Sequence, residues 1–275
     1  MGKNKMMKWG ITTLIGHRRG LAEFCQEVKK LGYEYIELNC VKNYFAHYNA
    51  LQLANSPREI EFIQEILQTN NLGCSAVDCH GFYGRSEAEF EYTSDYLLAG
   101  LEVTEKLGSK FMVTSIPACD IIPWEKMVKR MSEICRKAQD KNLEIVIEAE
   151  YNFPVGTPDS LEKFLSDVNE PNLKVNFDPS HFVRANFDVK EVIRRFFHVI
   201  SHVHVKEYLP EKIHPTWYEG ELNSPCSQML DELYRFDYQG VASAETLVEM
   251  AYRGNEAPEI IMNGLKKWQK SKGIV

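Results

Sequence analysis

Eight short apolar runs alternate with helical patterns from one end of the chain to the other, and that alternation leaves few folds open. The runs cover residues 8–14, 33–39, 73–80, 109–116, 143–150, 173–178, 201–207 and 240–245. They are rich in β-branched residues and short, so each reads as a buried strand. Between them apolar residues recur at helical spacing. Residues 20–31 set Leu21, Phe24, Cys25, Val28 and Leu31 on one stripe, with Gly32 as a C-terminal stop. Ser56 with Glu59, and Ser86 with Glu89, have the spacing of capping boxes, and Pro57 stands in a first turn. Residues 124–140, 158–168, 188–200, 225–236 and 257–271 supply five more helices. Asp188 with Glu191, and Ser224 with Pro225, mark two of their starts. Eight strand–helix pairs in 275 residues predict one closed parallel (β/α)₈ barrel, a single domain over residues 1–275. An open doubly wound sheet is the competing solution, but no GxGxxG or P-loop pattern follows an early strand.

Four runs in the second half end on metal-type ligands. "IVIEAE" ends at Glu148 and Glu150, "VNFD" at Asp178, "HVHVKE" carries His202 and His204, and "VASAE" ends at Glu245. A buried strand has no cheap place for a carboxylate, which costs several kcal/mol out of water unless a cation or hydrogen bonds compensate it. Four such residues at the carboxyl ends of consecutive strands point to one convergent site. Two Glu, one Asp and one His suit a single divalent ion such as Mn²⁺, Mg²⁺, Co²⁺ or Zn²⁺.

Side-chain alternation supports closure. If the four ligands point inward, so do Val146, Asn176, His202, Lys206 and Ser243, and the opposite face is wholly apolar. The same phasing sends Glu37, Asn39, Asp78 and His80 inward. On strand four it sends Val113 outward and Thr114 inward.

The net charge of −7 argues against nucleic acid and anionic membranes as partners. His17-Arg18-Arg19 is the tightest basic group and reads as a solvated turn. Seven cysteines with no CxxC pair fit a reducing cytoplasm better than a disulfide framework. The N-terminal segment lacks a cleavage site for a signal peptide, and no run approaches a membrane span.

The segments "GYEYIEL", "IVIEAE", "NFDPSHF", "HVHVKE", "EGEL" and "VASAET" occur in an order that resembles the xylose isomerase-like TIM-barrel superfamily. That group holds sugar isomerases and epimerases of the D-tagatose 3-epimerase type, hydroxypyruvate isomerase, inosose dehydratase and endonuclease IV. No single motif is specific, but the ordered set is, and it covers nearly the whole chain. The resemblance implies metal ligands at Glu148, Asp178, His204 and Glu245, with Glu148 and Glu245 doubling as the acid/base pair. By spacing alone Glu150 could replace Glu148; the family pattern favours Glu148. His181, the histidine of the D-x-x-H stretch, is implied to lie beside substrate.

The expected function is a metal-dependent sugar or polyol-ketone isomerase or epimerase, in which a proton moves beside a carbonyl through a stabilised enediolate. An inosose dehydratase-like lyase on the same barrel is the alternative. An endonuclease IV-like enzyme fits less well, because strand four ends in "FMVTSIP" without a histidine. A non-catalytic sugar binder fits less well again. The partner is a small carbohydrate, and a homo-oligomer is left open. His80, Glu150, Lys206 and Glu37 are candidate substrate contacts, although Lys206 could equally balance an acid and Glu37 could equally bridge strands. Trp9, Trp124 and Trp217 could stack on a sugar, with Trp217 in the best place and packing the default for all three.

Overall fold

The computed structural model describes residues 7–41, 46–80, 86–116, 122–209, 218–246 and 256–274. Eight parallel strands close on themselves in sequence order: β1 Lys8–Thr12, β2 Tyr35–Asn39, β3 Gly73–Asp78, β4 Phe111–Ser115, β5 Glu144–Glu148, β6 Leu173–Phe177, β7 Ile200–Val205 and β8 Val241–Ala244. β1 pairs with both β2 and β8, which removes every open edge. The (β/α)₈ barrel read from the sequence is the fold.

The long helices surround the barrel: α1 Leu21–Leu31, α3 Pro57–Thr69, α4 Glu87–Lys106, α5 Trp124–Asp140, α6 Pro158–Val168, α8 Val189–Phe196, α9 Pro225–Arg235 and α10 Ala257–Ser271. Two short ones, α2 Ala50–Ala54 and α7 Pro179–Arg184, were too brief for a periodic signal. The helix expected over 188–200 ends at Phe196, and a 3₁₀ turn carries the chain to β7. Gly32 closes α1 at φ +112°, a left-handed cap. Asp188 and Ser224 cap α8 and α9 as expected, and Ser86 accepts from the Glu89 N–H at 3.2 Å. The Ser56 box does not form: its backbone sits outside the usual cap conformation and its hydroxyl makes no cap bond.

One phase was wrong. Val113 points into the barrel, where it packs with Ala76 and Val146 and against Phe111. Thr114 therefore faces the helices. The cause lies in "FMVTS", an apolar stretch with no strict alternation, so only pairing with β5 fixes its phase: Val113 opposite Val146 and Ser115 opposite Glu148. These apolar side chains line the β3–β5 side of the barrel interior, and the Phe111 ring meets His202 edge-on at 6.3 Å. Gly10 is needed nearby, since a Cβ there would sit 2.8 Å from Ser243 Oγ and Val241 Cγ1. Toward the carboxyl ends of the strands the inward positions are polar.

Trp9 and Trp124 lie away from the mouth. Trp9 packs edge-on against Trp268 of α10, and Trp124 against Phe164 of α6. Trp217 lies outside the described residues. The described cysteines, Cys25, Cys40, Cys74, Cys79, Cys135 and Cys226, are free thiols. Among the described residues no helix is long and apolar enough to cross a membrane.

Glu207 follows β7 and is only 3% exposed. Its Oε1 accepts from the N–H groups of Tyr208 and Cys226, at 3.2 and 3.4 Å, beside the start of α9. Burial still pushes its pKa up to about 7. The fold thus holds this proton more tightly than the unfolded chain does. The cost of charging it is absent below the unfolded pKa near 4.5 and complete above about 7. Glu207→Gln is expected to stabilise the protein at pH 8 by on the order of 2 kcal/mol and to be neutral near pH 4. Urea melts at both pH values check this; an equal gain at both would mean that charge burial is not the cause.

Candidate metal centre at the barrel mouth

The centre is assembled from strand ends. Glu148 is the last residue of β5. Asp178 follows β6 and caps α7, its Oδ1 accepting from the Ser180 N–H at 2.7 Å. His204 is the penultimate residue of β7, and Glu245 follows β8. One ligand atom from each of the four lies within 4.8 Å of the others. His204 directs Nδ1 at Glu148 Oε2, 3.1 Å away, and Glu245 Oε2, 2.8 Å away.

Three carboxylates and one imidazole form a donor set that fits a divalent cation. Two buried oxygens, Asp178 Oδ2 and Glu245 Oε2, have no hydrogen-bond partner. Lys206 Nζ lies 3.2 Å from the first and His204 Nδ1 2.8 Å from the second, but neither contact is aligned as a hydrogen bond. Such atoms are costly in a protein interior and mark where a further positive group fits. Glu148, Asp178, His204 and Glu245 are the residues that could hold it.

Charge in the centre is balanced by position. Burial works to raise the pKa of Glu148, yet the neighbouring His204, His181 and His80 hold it well below the usual carboxylate range. Burial likewise opposes ionisation of Glu245, but Lys206 and His204 bring its pKa down to about 2. Lys206 is 3% exposed, donates to Glu245 Oε1 at 3.1 Å, and stays protonated because Asp178 and Glu245 outweigh its burial. It is a buried counter-ion, one of the two roles its sequence position allowed.

Around the centre stand the other expected residues. His181 accepts the Tyr151 N–H on Nδ1 at 3.1 Å, so its proton sits on Nε2, 3.1 Å from Glu148 Oε1. His80 is bonded through Nδ1 to Asp78, and Asp78 in turn accepts from Asn39. His80 Nε2 faces Glu148 Oε2 at 3.5 Å and Glu150 Oε1 at 3.9 Å and has no hydrogen-bond partner. Glu150 sits at the rim, outside the four-ligand set, and burial raises its pKa. The Ser115 side chain works against that rise, a neighbour hidden from sequence reading by the mistaken phase of β4.

Glu37 lies lower than the other candidates. It is fully buried, and His204 Nε2 lies 3.0 and 3.2 Å from its two oxygens. His202 shares this deep layer, with Nε2 3.5 Å from Glu37 Oε2 and Nδ1 2.9 Å from Asn176 Oδ1. Asn176 donates to Glu148 Oε2 at 2.8 Å. Alternation already placed Asn176 inward, two residues before Asp178, which was the available signal for it.

With a closed barrel and this cluster at its carboxyl mouth, the chain belongs to the xylose isomerase-like TIM barrel family, whose description it matches over residues 25–271. It is 23% identical over 189 residues to an inosose dehydratase of Clostridium botulinum (strain Alaska E43 / Type E3). That match covers 60% of this chain and 61% of the relative, so the chain spans about three-fifths of that curated protein's length. Among solved structures it resembles D-psicose 3-epimerase in the presence of D-fructose, with TM-score 0.74, 17% identity, and 96% and 99% of the two chains covered. It also resembles a xylose isomerase-like TIM barrel protein from Mycobacterium smegmatis in complex with magnesium, with TM-score 0.76, 14% identity and full coverage of both chains. At these identities the structural likeness establishes the fold.

If the four side chains hold a divalent cation, the cation should stabilise the fold. At about 100 times its Kd, Mn²⁺ or Co²⁺ is expected to add roughly 2.7 kcal/mol, seen as a raised Tm after EDTA treatment and reloading. Asp178→Asn keeps an N-cap for α7 but removes a charged ligand, and should abolish that rise. A Tm indifferent to every divalent cation tested would exclude the centre.

Proposed function

We propose that this protein is a divalent-metal-dependent isomerase or epimerase of a sugar or related polyol ketone. The observation that carries this is the convergence of Glu148, Asp178, His204 and Glu245 at the barrel mouth, with two buried oxygens lacking hydrogen-bond partners. A cation held by these four would stabilise negative charge developing on a substrate oxygen next to the reacting carbon. The chain's own residues supply the rest. Glu148 and Glu245 come from β5 and β8 and flank the mouth from separated strands, so one can take a proton from carbon and the other return it. His181 keeps a fixed Nε2 proton directed at Glu148. His80 and Glu150 are the proposed substrate contacts, offering a donor and an acceptor to hydroxyl groups, while Lys206 is engaged by Asp178 and Glu245. The epimerase fold likeness supports this assignment, as does the donor set.

Dehydration is the second reading, favoured by the sequence similarity to inosose dehydratases. It begins with the same removal of a proton beside a carbonyl and differs in the later loss of a hydroxyl group as water. Both readings make the protein a soluble-substrate enzyme with carbohydrate-like ligands, and cytoplasmic residence remains part of the proposal.

One experiment separates these outcomes. Ketoses, aldoses and inososes are incubated in D₂O with the Mn²⁺-loaded protein and followed by NMR. Exchange of a C–H beside the carbonyl is expected, with retained carbon skeleton and hydroxyl count for isomerisation, or loss of water for the lyase. Glu148→Gln and Glu245→Gln should each slow exchange by about 100-fold or more. Glu245→Gln should keep more metal than activity, since an amide oxygen still ligates. Glu150→Gln should mainly raise KM. Absence of exchange across the panel by metal-loaded protein would count against both readings, and a near wild-type rate in Glu245→Gln would remove that residue from proton transfer.

A further inference from the structure

The layer beneath the mouth carries a role of its own. Glu37, His202 and His204 present ligand atoms within 4.8 Å of one another, and so form a second cluster with the donor types of a metal site. It is better explained as support. Glu37 and His202 are fully buried. His202 already pairs Nδ1 with Asn176 and lies 3.3 Å through Nε2 from Ser243 Oγ. The His204 ring stands between this layer and the mouth.

A neutral imidazole has one N–H and one lone pair, and the partner of the first decides where the second points. The carboxylate of Glu37 can only accept, and both its oxygens lie within 3.2 Å of His204 Nε2. Nδ1 faces the carboxylates of Glu148 and Glu245 and lies 3.1 Å from the Asn176 amide nitrogen, so once a cation sits among those carboxylates a proton kept on Nε2 leaves the Nδ1 lone pair to it. The reverse tautomer would set a lone pair against the Glu37 carboxylate and turn an N–H into the ligand cluster. Glu37 comes from β2 and His204 from β7, with β1 and β8 between them, so only closure of the barrel brings them together. Through His202 and Asn176 the same layer also reaches Glu148, the second ligand fixed from below.

We propose that Glu37 is a positioning residue which, from beneath the mouth, holds His204 in the tautomer that offers Nδ1 to a metal ion; this rests on the reading of Glu148, Asp178, His204 and Glu245 as a divalent-cation site. Glu37 then needs no contact with substrate. Its removal acts first on the imidazole ligand, because Glu148 is held directly by Asn176 and not by Glu37. The consequence is a bias between cations. Co²⁺ gains much from a well-presented imidazole, whereas Mg²⁺ is held chiefly by oxygen.

The test is calorimetric titration of the full chain with Co²⁺ and, separately, Mg²⁺, for wild type, Glu37→Gln and Glu37→Asp. The glutamine amide can donate to Nε2 and so permits the wrong tautomer. Glu37→Gln is expected to weaken Co²⁺ binding by about 10–100-fold and Mg²⁺ binding by less than about threefold. Glu37→Asp keeps an acceptor charge one methylene further away, and should fall between wild type and Glu37→Gln with the loss again confined to Co²⁺. It carries the test if the glutamine variant does not fold. Equal losses for both cations would make Glu37 a purely structural residue, and unchanged Co²⁺ affinity in a wild type that binds Co²⁺ would also overturn the positioning role. A wild type that takes up neither cation would instead overturn the cation site, and the role of Glu37 with it.

Discussion

Carboxylates taken out of water beside one another repel, and the upper half of this barrel is organised by how that repulsion is relieved. Glu37, Glu148 and Asp178 are at most 4% exposed, and Glu245 closes the group from β8. Burial alone would neutralise such groups. Instead His204 stands among Glu37, Glu148 and Glu245, and Lys206 between Asp178 and Glu245. A buried lysine is as unfavourable as a buried acid unless the two are matched, so each group depends on the others. An apolar patch of Ala76, Val113 and Val146 lines the β3–β5 side of the same interior. Asp178 Oδ2 and Glu245 Oε2 are still without hydrogen-bond partners.

The fold was legible because two periodicities agree. Strands of about five residues with one wholly apolar face must be covered by helices, and helical stripes of matching length follow them. The convergent cluster was legible for a related reason: a charged residue at the end of an apolar strand is a local contradiction visible in sequence. Other features leave no such trace. The phase of β4 was unreadable because "FMVTS" lacks strict alternation, and Ser115 was missed with it. Ser56 and Glu59 have capping-box spacing, but the backbone at Ser56 does not take the shape that spacing assumes. Alternation told which way Glu37 points but not how deep it lies. Its contact with His204 crosses two intervening strands, and depth depends on stagger around a closed barrel.

The step after β6 illustrates how a few residues place several groups at once. In Asp178-Pro179-Ser180-His181 the carboxylate uses one oxygen to cap α7 and leaves the other to the centre. Pro179 at the first helical position suits the tight start, having no N–H to satisfy. His181 follows three residues later on the same face, and the Tyr151 N–H fixes its tautomer. Arg184, at the end of α7, lies over the rings of Tyr151 and Tyr208, at 4.8 and 5.7 Å, and so links the segments after β5, β6 and β7. The aim of these side chains thus comes from helix and strand termini.

That construction separates what is shared from what can vary. Isomerisation, epimerisation and dehydration of a polyol ketone all begin by removing a proton beside a carbonyl, and on the proposed function the four-residue cluster serves that step in each. They diverge afterwards, in where the proton returns and whether a carbon–oxygen bond breaks. On the proposed function those choices fall to groups at the rim: His80 on its Asp78 support, and Glu150 beside Ser115. These side chains stand at or just beyond strand ends, where the backbone is free to change without disturbing the barrel. One fold and one ligand set can therefore carry several reactions, and the identity of the reaction is decided at the rim.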